Sequence, residues 1–132
     1  MNYIQWLNDY NIGIPEIDAQ HRHLAELINE LAQAQKDKKD ASIHGKVLTE
    51  LVNYTRIHFR DEEALMKKID FPQLHEHEAQ HKVLINQVVD ILNTYKHGHT
   101  DITDKVLEIL NHWLIKHILK QDKEIANYME NR

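Results

Sequence analysis

Apolar side chains recur along this chain at alternating steps of three and four residues, the spacing of one face of an α-helix. Four stretches carry such an apolar stripe, and short polar or Gly/Pro-containing segments separate them. The predicted helices cover about residues 18–37, 41–69 and 72–96, and a fourth runs from residue 100 or 101 towards the C-terminus. Four long helices joined by short turns predict an all-α, up-down-up-down antiparallel four-helix bundle.

Residues that favour helix ends lie between these stretches. Short polar side chains cap helix N-termini, proline fits the first helical position, and glycine follows a helix end. The boundary residues are Glu16 or Asp18 for helix 1, Asp40 or Ser42 for helix 2, Pro72 and Gly98 for the two ends of helix 3, and Thr100 or Asp101 for helix 4. Residues 1–17 are expected to form an apolar arm that packs on the bundle of residues 18–132, all within one domain of residues 1–132.

Composition supports this fold and excludes several functions. The 132 residues include only 3 Gly and 2 Pro, too few for the turns of a β-sandwich or barrel. The absence of cysteine excludes disulfides, Cys-ligated metals and thiol catalysis. A net charge of −5 argues against nucleic-acid and anionic-membrane partners. Neither a secretory signal nor a membrane-spanning run is evident, so we expect a cytoplasmic protein that is not bound to a membrane.

Histidine is the unusual component, with 11 residues. Residues of the types that bind metals interrupt the apolar stripe of every helix. They are His21 in helix 1, His58 and Glu62 in helix 2, His77 and His81 in helix 3, and His117 and Asp122 in helix 4. A rise of about 1.5 Å per residue places all seven at similar depth near one end of the bundle. A lone core histidine is usually satisfied by one hydrogen bond, but seven such groups would compete for few partners.

Five imidazoles and two carboxylates exceed the four ligands of a structural zinc ion. They suit two metal ions with bridging carboxylates, as in the di-iron sites of helix bundles. Imidazole suits iron, zinc and copper, and bridging carboxylates favour iron or manganese, so iron is the best compromise. His117 and Asp122 are five residues apart, which is about 140° around an ideal α-helix. Either a one-residue π-bulge or a long reach by Asp122 would bring both to the metals.

The pattern resembles that of the hemerythrin family, close to its single-domain bacterial members. The resemblance covers essentially the whole chain and includes local sequences around the candidate ligands. These are Asp18-Ala19-Gln20-His21, His58-Phe59-Arg60-Asp61-Glu62-Glu63 and Trp113-Leu114-Ile115-Lys116-His117-Ile118. It implies a non-haem di-iron centre that binds O2 reversibly, for oxygen carriage, storage or delivery rather than for catalysis.

The resemblance also implies roles for the seven residues. One iron ion takes His77, His81 and His117, and the other takes His21 and His58. Glu62, Asp122 and an oxo or hydroxo group bridge the two. Counting ligands leaves one vacant position on the second ion, where we expect O2 to bind and small anions such as azide to compete.

Apolar residues that match the family's O2 pocket are expected to surround that position. They are Phe59, Trp113, Leu114 and Ile118, with Leu24 and Ile28 as further candidates from helix 1. Ordinary core packing also accounts for these side chains. The remaining histidines fall off the stripes or in turns and are expected to face solvent: His23, His44, His75, His97, His99 and His112.

Two other functional classes remain open at this stage. One is a di-iron enzyme with peroxidase-type or nitric-oxide-reducing activity, which calls for a proton donor near the vacant position. The sequence does not place such a donor: Tyr54 lies one helical turn before His58, but its offset directs its side chain partly away. The other is an O2- or redox-sensing module that acts with a separate partner. The sequence specifies no protein partner.

Overall fold

The computed structural model describes residues 4–37, 41–96 and 104–131. After a 3₁₀ turn at Asn8–Tyr10, the helices are α1 (Pro15–Lys36), α2 (Ala41–Lys68), α3 (Leu74–Lys96), α4 (Asp104–His112), a π-helix (Trp113–Leu119) and α5 (Lys120–Glu130). The last three segments follow one another without a break and form the fourth helix of the bundle. α2 packs against both α1 and α3, and α1 also contacts α4 and the π-helix. The predicted all-α four-helix bundle is confirmed.

The described part of the N-terminal arm, from residue 4, packs against the bundle through some of its apolar residues, as predicted. Its backbone at Ile4 pairs with the Asn29 side chain, which accepts the Ile4 N–H at 2.6 Å and donates to the Ile4 carbonyl at 2.9 Å. Ile4 and Ile12 are buried, whereas Leu7 stays exposed. The arm is therefore held on α1 by hydrogen bonds from its backbone to the Asn29 side chain as well as by apolar contact.

Helix α1 begins earlier than predicted. Pro15 takes the first helical position, where its missing N–H costs nothing, so neither Glu16 nor Asp18 is the N-cap. Asp18 instead lies in the first turns, and its carboxylate accepts the backbone N–H groups of Ile12 at 2.7 Å and Gly13 at 3.2 Å. Gly13 has a φ of 91°, a conformation that side chains disfavour. Asp18 thus fixes the arm to α1.

A Schellman motif ends α2, and because of it α3 begins later than predicted. Asp70 adopts a left-handed φ of 54°, and the Phe71 N–H reaches back to the Met66 carbonyl at 2.9 Å. Phe71 packs against Met66 beneath this turn. Because the turn continues through Pro72, α3 begins at Leu74 and the prediction of Pro72 as its first residue is wrong.

The other predicted boundary residues lie outside the described residues: Asp40, Gly98, Thr100, Asp101 and the side chain of Ser42. Within the described part of the chain, no helix is long and apolar enough to cross a membrane.

Among the described residues, the buried apolar side chains form one large cluster and two small ones, and a polar layer lies between the large cluster and the small ones. Along each helix, a residue of the large cluster and a residue of a small cluster flank one or two ligand-type residues. These sequences are Ile17, His21, Leu24 in α1, Phe59, Glu62, Met66 in α2, Phe71, His77, His81, Leu84 leading into α3, and Ile118, Asp122, Ile125 in the fourth helix. This layer lies near the end of the bundle where α2 turns into α3. The predicted common depth of the ligand-type residues is therefore found for the described ones.

Candidate metal centre

Six of the seven residues singled out in the sequence lie together in the polar layer. Their exposed fractions are 0% for His21, His58 and Glu62, 2% for His77, 4% for His81 and 1% for Asp122. Burying ionisable groups this deeply is costly unless charges are paired or bind a metal. α2 and α3 each supply two of the six, because a four-residue step keeps two side chains on one face of a helix.

The six residues form two groups that share both carboxylates. His21 and His58 form one group with Glu62 and Asp122, and His77 and His81 form the other with the same two acids. Within each group, one potential ligand atom per residue lies within 4.8 Å of all the others. Two overlapping groups with common carboxylates are the arrangement expected for a bridged pair of metal ions.

Glu62 lies between the two groups. Its Oε2 is 3.1 Å from His58 Nε2, whereas its Oε1 is 3.0 Å from His81 Nε2. The two oxygens of one carboxylate therefore face histidines of different groups. Asp122 approaches the first group with one oxygen, since its Oδ2 is 2.7 Å from His21 Nε2 and 3.5 Å from His58 Nε2.

Several buried polar atoms in these groups lack a hydrogen-bond partner, and a metal would satisfy them. They are His21 Nδ1, His58 Nε2, His77 Nδ1 and Glu62 Oε2. His58 Nε2 and Glu62 Oε2 lie close together, but their alignment makes no hydrogen bond. Native proteins leave few buried polar atoms unsatisfied. Four unpartnered atoms of these types on residues of the two groups, all of them nitrogen or carboxylate oxygen, fit a metal site.

In the metal-free chain, the pKa values of His58, His81 and Asp122 are shifted in the direction that favours their charged forms. Burial alone would lower the pKa of His58, but the carboxylates of Glu62 and Asp122 outweigh it and raise the pKa to about 10. Burial likewise opposes a charged His81, yet its hydrogen bond to Glu62 raises the pKa. For Asp122, burial would raise the pKa, but the hydrogen bond from His21 and the nearby imidazole of His58 lower it well below its ordinary value. Protons thus occupy positions where metals would bind.

The π-helix carries the backbone of His117, the seventh predicted ligand. The side chain of His117 is outside the described residues. A π-helical segment was one of two explanations for the spacing of His117 and Asp122, and its presence is confirmed. It spans Trp113–Leu119, so most of it lies before the interval where it was expected. Asp122 itself faces the cluster from the first turn of α5.

Comparison with known proteins agrees with this geometry. Residues 12–129 match the model of a family described as the hemerythrin HHE cation binding domain. This chain belongs to the hemerythrin family. A bacteriohemerythrin of Stenotrophomonas maltophilia (strain R551-3) is 36% identical over 130 residues, 98% of this chain and 84% of the relative. A bacteriohemerythrin of Methylococcus capsulatus is 28% identical over 113 residues, 86% of this chain and 84% of the relative. The crystal structure of a wild-type hemerythrin superposes with a TM-score of 0.86 at 25% identity, over 95% of this chain and 96% of that one.

This hemerythrin-family chain supports its buried histidines with polar groups that the sequence analysis did not assign. Gln20 Oε1 accepts a hydrogen bond from His58 Nδ1 at 2.7 Å, and Gln20 Nε2 donates to Asp61 at 2.8 Å. Glu63 Oε2 is 3.4 Å from His81 Nδ1. Such partners fix which ring nitrogen is free to bind a metal. Gln20 and Glu63 stand in the local sequences quoted above, directly beside candidate ligands, and that position was the available signal.

Glu124 makes a further contact that was missed. Its Oε2 is 3.3 Å from His77 Nε2, although the Glu124 side chain is 62% exposed. An exposed glutamate two residues after Asp122 gives no sequence signal, because it belongs to the solvent face of its helix.

The residues predicted to wall the O2 pocket are all buried in the large apolar cluster of this hemerythrin fold: Leu24, Ile28, Phe59, Trp113, Leu114 and Ile118. The Phe59 ring stacks on His81, with ring centres 4.0 Å apart and planes 3° apart. Trp113 donates its indole N–H to the Leu84 carbonyl at 3.0 Å, which ties the π-helix to α3. Apolar side chains thus cover the large-cluster side of the polar layer.

The other histidines do not all face solvent as predicted. His75 and His112 are exposed and His23 is half-buried, whereas His97 and His99 lie outside the described residues. The prediction for His44 is wrong, because it is only 7% exposed and neither ring nitrogen has a hydrogen-bond partner. His44 continues the core stripe of α2 four residues before Leu48, so its helical register was a signal for burial.

Proposed function

We propose that this protein binds O2 reversibly at a non-haem di-iron centre and serves in oxygen carriage, storage or delivery. The observation that carries the proposal is the pair of buried ligand groups that share Glu62 and Asp122. Membership of the hemerythrin family supports it. We further propose that residues 1–132 act as one domain in the cytoplasm and not as an enzyme.

The ligand assignment follows the two groups. His21 and His58 would hold one iron ion, and His77, His81 and His117 the other. Glu62 and Asp122 would bridge them, together with an oxo or hydroxo group. When bound, the iron pair supplies the redox chemistry that allows O2 to be taken up and released. The ion held by His21 and His58 has fewer protein ligands, so we assign O2 and azide to that side.

The apolar wall supports reversibility because it excludes water. Leu24, Ile28, Leu114 and Ile118 are at most 1% exposed. A proton donor at the O2 position would favour release of a reduced product and leave the metal oxidised. Saturated side chains offer no such donor, so this wall favours release of intact O2.

The surrounding polar groups would orient the ligands before metal arrives. The Gln20 carboxamide directs the Nδ1–H of His58 outward and leaves Nε2 towards Glu62 and Asp122. Glu63 lies beside Nδ1 of His81 in the same manner, with Nε2 towards Glu62. Holding ring orientation in advance strengthens metal binding.

The enzyme and sensor alternatives gain no specific support from the described residues. Tyr54, the candidate proton donor, packs its ring against His23 with centres 4.2 Å apart. His23 is half-buried and lies outside the two ligand groups. A peroxide- or nitric-oxide-consuming reaction would therefore lack its expected acid at this position.

The test is metal and gas analysis of the recombinant chain. We expect two irons per chain and, after anaerobic reduction, one O2 bound per iron pair and released intact when O2 is removed. Azide should bind once per pair and compete with O2. One metal per chain, a preference for zinc over iron, or oxidation of the iron at the first exposure to O2 would each refute the proposal. Steady turnover of peroxide or nitric oxide would favour the enzyme instead.

A further inference from the structure

A groove of about 470 Å³ lies on the outer face of the bundle between α2 and α3. Its rim carries four cationic side chains, Arg56, Arg60, Lys67 and Lys82. The α2 positions 56, 60, 64 and 67 lie on one helical face by their spacing. Ala64 has only a methyl group in the middle of this face, and the groove lies over it.

The rim cations are largely free of internal partners. Arg60 pairs weakly with Asp61 at 3.4 Å, whereas Arg56, Lys67 and Lys82 make no ion pair within the described part of the chain. The groove also contains Glu63 and Glu78, so four cations and two carboxylates leave it with a charge of +2. The whole chain carries −5. Such a local excess of positive charge on an acidic protein attracts anions.

Both carboxylates of the groove already have other contacts. Glu63 lies 3.4 Å from Nδ1 of His81, and Glu78 lies 3.6 Å from Nδ1 of His75. Their charge is directed towards these histidines, which leaves the lysine and arginine groups as the recognition elements at the rim.

The floor of the groove is the outer wall of the metal centre. Phe59 and His81 line it, and their rings are stacked at 4.0 Å. Ile85 adds an apolar side chain from α3. A molecule in the groove therefore lies against a histidine that belongs to one of the two ligand groups.

We propose that this groove binds a small planar anion of the flavin-nucleotide class, which returns electrons to the metal centre. This inference rests on the proposed function, because an O2-binding iron pair that becomes oxidised must be reduced before it binds O2 again. A reduced flavin nucleotide would give up two electrons and two protons. The electrons would reduce two ferric ions to ferrous ions, and the protons would pass to solvent.

The size and chemistry of the groove favour a small molecule over a protein partner. Its volume lies within the range of about 300–1,000 Å³ that is usual for small-molecule sites. The apolar floor suits a ring system, and the cationic rim suits a phosphate group. The floor also offers the shortest route to the metals among the described surface grooves, because it alone includes a residue of the ligand groups.

The first experiment uses iron-free protein, so that its result does not depend on O2 chemistry. Flavin mononucleotide and riboflavin share one ring system, but only the nucleotide carries a phosphate. We expect fluorescence titration to show that riboflavin binds at least about tenfold more weakly, the loss expected for a charge-assisted hydrogen bond. The difference should shrink with added salt. Equal binding of the two flavins, or binding of neither, would overturn the proposal.

Charge-reversal variants test the location. Lys67→Glu and Lys82→Glu should each weaken binding of flavin mononucleotide about tenfold or more. Lys46→Glu makes the same change of charge on an exposed part of α2 outside the groove and should leave binding unaltered. Ala64→Phe should block binding by filling the groove without changing charge. Equal losses in Lys46→Glu would show a general charge effect and contradict the assignment.

Iron-loaded protein separates this inference from the proposed function. Anaerobic reduction of the ferric centre by reduced flavin mononucleotide should be slower in Lys82→Glu, while O2 uptake by the reduced centre stays unchanged. If the nucleotide binds the iron-free groove but the iron form never releases O2, the proposed function fails and the binding site stands. If a reduced acidic ferredoxin needs the same lysines and the nucleotide does not bind, the partner is a protein and the small-molecule proposal is wrong.

Discussion

Gln20 connects the buried candidate ligand His58 to the surface, because it accepts a hydrogen bond from His58 and donates one to Asp61. We expect Gln20→Ala to weaken iron binding by about 10–100-fold, because His58 loses the partner that fixes its ring. Competition with a coloured chelator measures the affinity. Gln33→Ala on the same helix removes only an exposed hydrogen bond to Asp37 and is the matched control. Equal affinity in wild type and Gln20→Ala would show that the ring needs no such support.

Leu114 packs in the apolar core and is also proposed to exclude water from the metals, and substitutions can distinguish these two roles. Leu114→Ala should destabilise the fold by about 2–5 kcal/mol and speed oxidation of the O2 complex, because the cavity admits water near the metals. Leu110→Ala is an apt control, since Leu110 is equally buried in the same cluster. It should cost similar stability with little effect on oxidation. The rate at which the spectrum of the O2 complex decays, compared with stability from urea unfolding, distinguishes the two roles. Equal acceleration of oxidation in both variants would contradict the assignment of Leu114 to the pocket.

Some residues of the candidate site could be predicted from the sequence, and others could not. Interruption of an apolar stripe identified six side chains that the structure brings together, and their role as ligands stays a prediction. Glu124 could not be found this way, because its long side chain reaches inward from an exposed position. His44 was missed for a different reason, since it lies beyond the first apolar residue of its stripe.

The π-helix is the element whose geometry most directly affects the site. A π-helix contains one residue more than the α-helix it interrupts, so deleting Lys116, an exposed residue within it, should restore α-helical register. The helix on either side of the segment then keeps its relative orientation, but His117 and Asp122 are five residues apart on a regular α-helix, about 140° around its axis. His117 and Asp122 can then no longer both face the metals.

We expect the Lys116 deletion to reduce iron content from two per chain to less than one, while circular dichroism still shows a helical protein. Lys116→Ala keeps the chain length and should retain both ions. Full iron content in the deletion variant would mean that the spacing of this helix does not control the site.

Helix number and order followed from periodicity alone, whereas helix ends depended on contacts between elements. α1 begins at Pro15, and Asp18 in its first turns accepts the N–H groups of Ile12 and Gly13 in the preceding segment instead of capping the helix. Pro72 does not begin α3 because Phe71 is still part of the turn that ends α2, where its N–H bonds the Met66 carbonyl and its side chain packs in the same cluster as Met66. Local signals do not report such tertiary competition, and this accounts for both errors.

Across the whole molecule, a layer of charged groups separates the large apolar cluster from the two small ones. The layer remains buried without metal because histidinium and carboxylate pair with each other. Metal loading exchanges these protons for metal ions, so iron binding should strengthen as pH rises towards neutrality. The same layer thus links the stability of the metal-free bundle to pH.

The shifted pKa values of His58 and Asp122 predict how the stability of the metal-free chain changes with pH. The pKa of His58 is about 10 in the fold and 6.5 ordinarily, so its stabilising effect is complete below about pH 6.5 and is lost as pH rises through 10. Asp122 has a pKa lowered from 3.8, so its effect is complete above that pH and is lost in acid. We therefore expect the free energy of unfolding of the metal-free chain to be greatest between about pH 4 and 6.5.

Urea denaturation of metal-free protein across pH 3–11 measures this profile. His75→Gln, which alters a histidine whose side chain is 96% exposed, should leave the profile unchanged. His58→Gln should reduce the alkaline decline, because one group that loses its proton is gone, and the raised pKa of His81 accounts for the decline that is left. Iron-loaded protein should lack the alkaline decline, since the metal then occupies the place of the proton. A metal-free wild type of constant stability between pH 6.5 and 10 would show that His58 is neutral in the fold, and that the carboxylates do not hold its proton.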